Sequence, residues 1–217
     1  MFPIRDDNPP ILTPVATFAI VALNIAAWVL IQGMGAGETL AGSVCRFGLF
    51  PGELMQLVPP GTRVPLGPNT VCVLSETGSW YAPLTSMFMH GGWMHIIGNM
   101  WFLWIFGGNV EDAMGPARFV LFYLLCGVAA AAFQVAADPS SQVPMVGASG
   151  ALFGLVGAIL AWEYVDRFTF RAKMWPVLRA MAFLIVLNVV LYFAMDRLLA
   201  WEAHLGGFVA GWVAALL

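Results

Sequence analysis

Apolar and polar stretches alternate along the chain in blocks long enough to matter for a membrane. A helix rises about 1.5 Å per residue, so a hydrocarbon core of about 30 Å takes about 20 apolar residues to cross. Residues 11–32, 84–110, 117–137, 146–165, 176–195 and 203–217 are read as six such spans, the last of them short. Between the first two lies 33–83, rich in Gly and Pro and carrying Glu38, Arg46, Glu53, Arg63 and Glu76. A segment of that length is too long for a plain connection and is expected to be structured or functional.

Composition strengthens the reading. Hydrophobic residues make up 60% of the 217-residue chain and charged residues 10%, with a mean hydropathy of +0.83. A soluble domain of this size carries about 25% charged residues, because its surface needs a polar shell. The expected fold is an all-α membrane protein, one bundle of six transmembrane helices over residues 1–217, with a long outward-facing first loop. A net charge of −3 without a basic patch outside one short loop excludes nucleic acid as a partner. The start, MFPIRDDNPP, has two acids and three prolines where a signal peptide has a positive region, so the first apolar stretch is expected to remain as a helix.

Charge asymmetry orients the bundle. With the N-terminus inside, Arg5, Arg118, Arg167, Arg171, Lys173 and Arg179 lie on the inner side, against Arg46, Arg63 and Arg197 outside. Positive residues accumulate on the cytoplasmic side, so the expected topology places both termini inside. Cys45 and Cys72 then share the outward loop, where an oxidising compartment would permit a disulfide. They can equally be two unpaired small side chains; Cys126, within a span, is read as packing.

Polar side chains at membrane depth are costly and mark function by default. Three groups stand out. In the second span, His95 and Asn99 are four residues apart and share a helix face, while His90 lies one turn nearer the outer surface. Such groups also serve as simple hydrogen bonds between helices. Ser149 opens the fourth span within Gly147-Ala-Ser-Gly150, small neighbours that leave its hydroxyl accessible and its helix start free to donate N–H groups. His204 opens the sixth, followed by Gly206 and Gly207.

The spacings Gly150/Gly154, Ala203/Gly207 and Gly207/Gly211 are of the small-xxx-small kind that lets helices cross closely. Packed on those faces, the fourth and sixth spans bring Ser149 beside His204. A serine hydroxyl needs a neighbouring base to become a nucleophile, and histidine suits that role. Glu202 points about 200° away from His204 on a helix, and Glu163 and Asp166 lie at the far end of the fourth span. The pair is therefore expected to act as a dyad without an acid. His90 and His95 are misfaced for joint chelation and H-E-x-x-H is absent, so neither a metal nor another cofactor is expected. No inverted repeat of the transporter kind is apparent.

At these residues the chain resembles the rhomboid family of intramembrane serine proteases. MFMHGGWMHIIGNMWFLWIFGGNVED is similar to that family's second helix with its H-x-x-x-N, GASG to its nucleophile motif, and AHLGGFVAG to its histidine motif, in the family's order. The resemblance implies that Ser149 attacks the scissile carbonyl with His204 as base, and that His95, Asn99 and the Ser149 N–H hold the oxyanion. It assigns support of the long loop to His90, close helix approach to Gly150, a supporting place beside the serine to Gly147, and a structural turn to Glu111 and Gly115. Two positions depart from the pattern. Phe153 stands where Tyr is common and keeps the stacking ring without the hydroxyl. Trp80-Tyr81 replaces a common Trp-Arg pair in the loop.

By the same resemblance, the partners are the lipid bilayer and single-span or other membrane proteins that reach the site sideways. Cleavage is expected beside small residues, with helix-weakening residues beyond. The implied location is multi-pass in a bacterial inner membrane, N-terminus cytoplasmic, with the site opening to the periplasmic side. A catalytically inactive rhomboid-like binding protein is the alternative within the same fold.

Overall fold

A computed structural model describes residues 12–67, 70–75, 78–194 and 200–217, and the protein is mostly helical. The expectations on the N-terminal charges, Glu76, Met195, Asp196 and Arg197 fall outside the described residues. In chain order the helices are α1 (Val15–Leu30), α2 (Gly37–Phe47), α3 (Pro51–Leu54), α4 (Ala82–Thr85), α5 (Trp93–Met114), α6 (Pro116–Ala137), α7 (Ser149–Thr169), α8 (Trp175–Ala194) and α9 (Trp201–Ala214). Two short strands, β1 (Arg63–Pro65) and β2 (Val71–Val73), pair antiparallel with Val64 opposite Cys72. Among the described residues, α6 is long and apolar enough to cross a membrane, with a mean hydropathy of 2.2, and shorter apolar helices occupy Val15–Leu30 and Trp175–Val190.

The second long helix differs from its expected bounds of 84–110. It starts at Trp93, after Gly91 and Gly92 interrupt the run, and it continues to Met114. Residues 84–92 instead hold the end of α4, a 3₁₀ turn at Ser86–Phe88 and an extended link. His90 therefore lies outside the helix that carries His95 and Asn99, contrary to the sequence reading that put all three on one. Apolarity alone cannot see this break, because Met87, Phe88 and Met89 are as hydrophobic as a span requires.

Helix directions alternate, and each packing contact shows how. Glu111, near the end of α5, reaches the start of α1. Its Oε1 accepts from the Ala16 N–H (2.9 Å) and its Oε2 from both the N–H and the hydroxyl of Thr17 (2.8 Å each). The first N–H groups of a helix lack internal partners, and no side chain preceding α1 caps them. A buried carboxylate from another helix does so instead, which also suits the positive end of the helix dipole. At its other end α1 hands over to Gln32, whose Nε2 donates to the His90 carbonyl while its Oε1 accepts from the His90 N–H (2.8 Å each). Gly115, at φ +81°, turns the chain from α5 into α6 in a conformation that favours glycine.

The tightest packing is among α6, α7 and α9. A Cβ on Gly207 would collide with the Gly150 carbonyl, and one on Gly211 with the Gly154 carbonyl, so α7 and α9 run parallel with backbones in contact. On its other side Gly154 faces Cys126 of α6, where an added Cβ would come within 2.5 Å of the Cys126 Cβ. Both helices thus start at the same end of the bundle.

The first loop covers that end as a small folded unit. Phe50, Val64, Cys72 and Leu74 are buried together, with Cys45, Val58 and Leu66 against them. Cys45 and Cys72 are joined by a disulfide, Cα–Cα 5.3 Å. Leu49 and Met145 exchange two backbone hydrogen bonds (3.0 and 2.8 Å), and the Gly52 N–H donates to the Ser141 carbonyl (2.9 Å). The loop is thereby stitched to the strand-like segment that leads into α7.

Two outcomes follow from these contacts. Glu111→Ala removes three hydrogen bonds to a charged acceptor and is expected to lower stability by about 2–4 kcal/mol, with Glu111→Gln less severe; thermal unfolding in detergent measures both. Gly207→Val forces α9 off α7 and is expected to cost about 3 kcal/mol or more in the same experiment. Val209→Ala, at an exposed position of α9, is the control and should shift the melting temperature little.

Candidate active site

α7 and α9 each begin where the sequence places its reactive residue. Ser149 is the first residue of α7, and His204 sits in the first turn of α9. Their parallel, backbone-close packing sets the Ser149 Oγ 2.8 Å from the His204 Nε2. His204 is buried, and the Phe153 ring, one turn along α7 from Ser149, lies flat on the imidazole at 4.3 Å between centroids and 11° between planes. The phenyl ring keeps the stacking geometry without offering a hydroxyl.

The backbone before the serine is shaped to receive α5. Gly147 adopts φ +121°, and its N–H donates to the Ser86 carbonyl (2.9 Å). A Cβ at Gly147 would fall 2.6 Å from the His95 Nε2 and 3.4 Å from the Asn99 Nδ2. Glycine is required there for its φ and for that crowding. His95 and Asn99 therefore present their nitrogens beside the Gly147–Ser149 turn. The Gly91 N–H donates to the His95 Nδ1 (3.2 Å). In the neutral ring, an acceptor Nδ1 leaves the proton on Nε2, facing the turn. The Asn99 Nδ2 is buried and has no hydrogen-bond partner among the described residues, so it too is a free donor at this place.

His90 is held through its main chain, by the Gln32 amide, while its buried ring meets the His95 ring edge to face at 5.2 Å. Gly150 makes the close approach to α6, its added Cβ falling 2.5 Å from the Ala130 Cβ. Cys45 and Cys72 lie in the covering loop, away from the serine. Among the described residues no group of three or more His, Cys, Asp or Glu side chains is gathered as a metal site would require.

One residue at the site has no role in the sequence reading. The Asn188 Oδ1, on α8, lies 2.7 Å from the His204 Nδ1. It is the polar residue of an otherwise apolar stretch, which is the signal that could have singled it out. Nothing in the spacing tells which helix it faces, however, and a search confined to carboxylates passes over an amide.

With this geometry in view, the relatives are informative. The chain is 33% identical over 140 residues to RHOMBOID-like protein 5 of Arabidopsis thaliana, covering 64% of this chain and 44% of that protein. It is 28% identical over 202 residues to rhomboid protease GluP of Bacillus subtilis (strain 168), covering 93% and 34%. With rhomboid-like protease 5 of Toxoplasma gondii it shares 32% identity over 143 residues, covering 62% and 16%. The chain thus spans less than half the length of each of these relatives. Rhomboid proteins are integral membrane proteins, which the apolar helix α6 fits. The Rhomboid domain matches residues 77–217, well over half of the chain and all of the helices that carry the site, and the chain belongs to the rhomboid family.

Proposed function

We propose that the protein is an intramembrane serine endopeptidase, and the observation that carries this is the 2.8 Å approach of the Ser149 Oγ to the His204 Nε2 at the paired starts of α7 and α9. In this reading the Ser149 Oγ attacks the scissile carbonyl carbon as its proton passes to the His204 Nε2. The carbonyl oxygen becomes an oxyanion, which the Ser149 N–H, the His95 Nε2–H and the Asn99 Nδ2–H are disposed to hold. Donors already fixed in place stabilise that charge without reorganising. Collapse of the tetrahedral intermediate expels the amine, which takes the proton from His204 and leaves an acyl-Ser149. Water then attacks the acyl carbon as it gives a proton to His204, and the second intermediate breaks its bond to the Ser149 Oγ, which takes that proton back as the acid is released. No cofactor takes part in these steps.

The bilayer setting is supported by the outward face of the helices. Leu23, Ile25, Leu30, Trp101, Trp104, Leu121, Leu125, Ile185 and Val186 are all exposed large apolar residues, and a soluble monomer rarely carries so extended an apolar surface. We read α1 and α5–α9 as six spans, N-terminus inside, with the serine end and the disulfide-bonded loop on the outer, periplasmic side of a bacterial inner membrane. Substrates are the helices of other membrane proteins, arriving sideways from the lipid.

Purified protein in liposomes, mixed with a single-span model substrate, tests the reading. Ser149→Ala and His204→Ala are each expected to reduce cleavage by at least about a thousandfold. Asn99→Ala should lower kcat by about a hundredfold with the fold retained, as loss of one oxyanion donor does. Undiminished cleavage by Ser149→Ala would sink the assignment.

A further inference from the structure

We propose that Asn188 is a positioning residue for the general base, holding His204 in the one tautomer and orientation that can accept the serine proton. The proposal rests on the serine-protease reading and adds a third member to the Ser149–His204 pair from a different helix.

Four groups form one chain of hydrogen bonds. The Asn188 Nδ2 donates to the Leu184 carbonyl one turn back on α8 (3.0 Å). That bond settles which way the amide faces, because the nitrogen has a carbonyl to donate to and the oxygen is left toward α9. The Asn188 Oδ1, an acceptor only, lies 2.7 Å from the His204 Nδ1, which must then carry the ring proton. With Nδ1 protonated, the neutral ring has its lone pair on Nε2, 2.8 Å from the Ser149 Oγ. The other tautomer would set two acceptors against each other at Nδ1 and remove the base from Nε2. Phe153 fixes the plane of the ring by stacking, and Asn188 fixes its rotation within that plane.

The surroundings make the bond count. A cavity of about 560 Å³ lies between α8 and the α7–α9 pair, lined by Leu184, Ile185, Val189, Leu205 and Phe208 around Asn188 and His204. In an apolar wall a hydrogen bond has little competition, and a donor that loses its acceptor stays unsatisfied. α8 touches α7 only sparsely. The base is thus oriented by a long helix only loosely tied to the α6–α7–α9 core, and the readiness of His204 depends on α8 being in place.

The test compares Asn188→Leu, which keeps the volume and removes the acceptor, with Asn188→Asp, which keeps an acceptor oxygen whether or not the carboxyl is ionised. Both go into the full chain in liposomes, with the single-span model substrate and with a fluorophosphonate that labels Ser149 directly. Asn188→Leu is expected to lower kcat and the labelling rate about tenfold at unchanged KM and melting temperature, the effect of one lost orienting bond, and Asn188→Asp should recover most of both. Wild-type rates in Asn188→Leu, or equal losses in both variants at wild-type melting temperature, would overturn the proposal. Imidazole ¹⁵N NMR of the unmodified protein, with the three histidines assigned by single substitutions, gives a reading that needs no Asn188 variant. His204 protonated on Nδ1 supports the role, and protonated on Nε2 refutes it. A Ser149→Ala protein that still cleaves would instead refute the protease reading, whatever Asn188 does.

Discussion

The meeting of Ser149 with His204 depends on two glycines meeting two carbonyls. Gly207 and Gly211 of α9 lie on the Gly150 and Gly154 carbonyls of α7 so closely that no side chain fits between. Lipid provides no hydrophobic force to press helices together, so close backbone contact through small residues is what holds such a pair. Because the contact is backbone on backbone, it fixes the pair's register as well as its distance. One step before Gly150 is Ser149, and three before Gly207 is His204. The registry that seats the glycines is therefore the registry that brings hydroxyl to imidazole.

The opposite approach, of α5 to the serine turn, is controlled by the loop instead. α5 makes no glycine seam with α7; its His95 and Asn99 are placed by where the helix begins. That start follows from the Gln32 clamp on the His90 peptide group, and the serine turn is located by Ser86 through the Gly147 N–H. The Leu49–Met145 pairing ties the same loop to the segment just before α7. A folded loop unit, cross-linked between α2 and β2, thus sets the distance of the His95 and Asn99 nitrogens from Ser149.

How far the sequence reveals this differs by element. The helices of the α6–α7–α9 core were legible, since apolar length marks the helix and small-residue spacing marks the contact face. The Ser149–His204 approach could be read from the same two signals. The start of α5 could not: hydropathy sees Met87–Met89 as membrane-like, while the chain there is held by a distant glutamine amide. Trans-capping of α1 by Glu111 is likewise invisible, because the nearest sequence feature is a proline and the carboxylate lies 95 positions away. Asn188 stands out in α8 by its polarity, but its partner is chosen by the packing of that helix, which the spacing of its residues does not reveal.

An amide at that position is also the physically economical choice. A carboxylate beside His204 would have to be desolvated in an apolar wall, a cost that its attraction to an imidazolium offsets only with good geometry and further donors. The Asn188 Nδ2 also has the Leu184 carbonyl to donate to, a bond that a carboxyl ionised at this place would forgo. A neutral acceptor orients the ring without that burden, though it stabilises the imidazolium less. The site then relies less on a buried countercharge than on shape: a stacked ring, a fixed tautomer and preset donors. That balance fits a Ser149–His204 pair embedded in helices whose outer faces are apolar, where each additional charge would have to be matched.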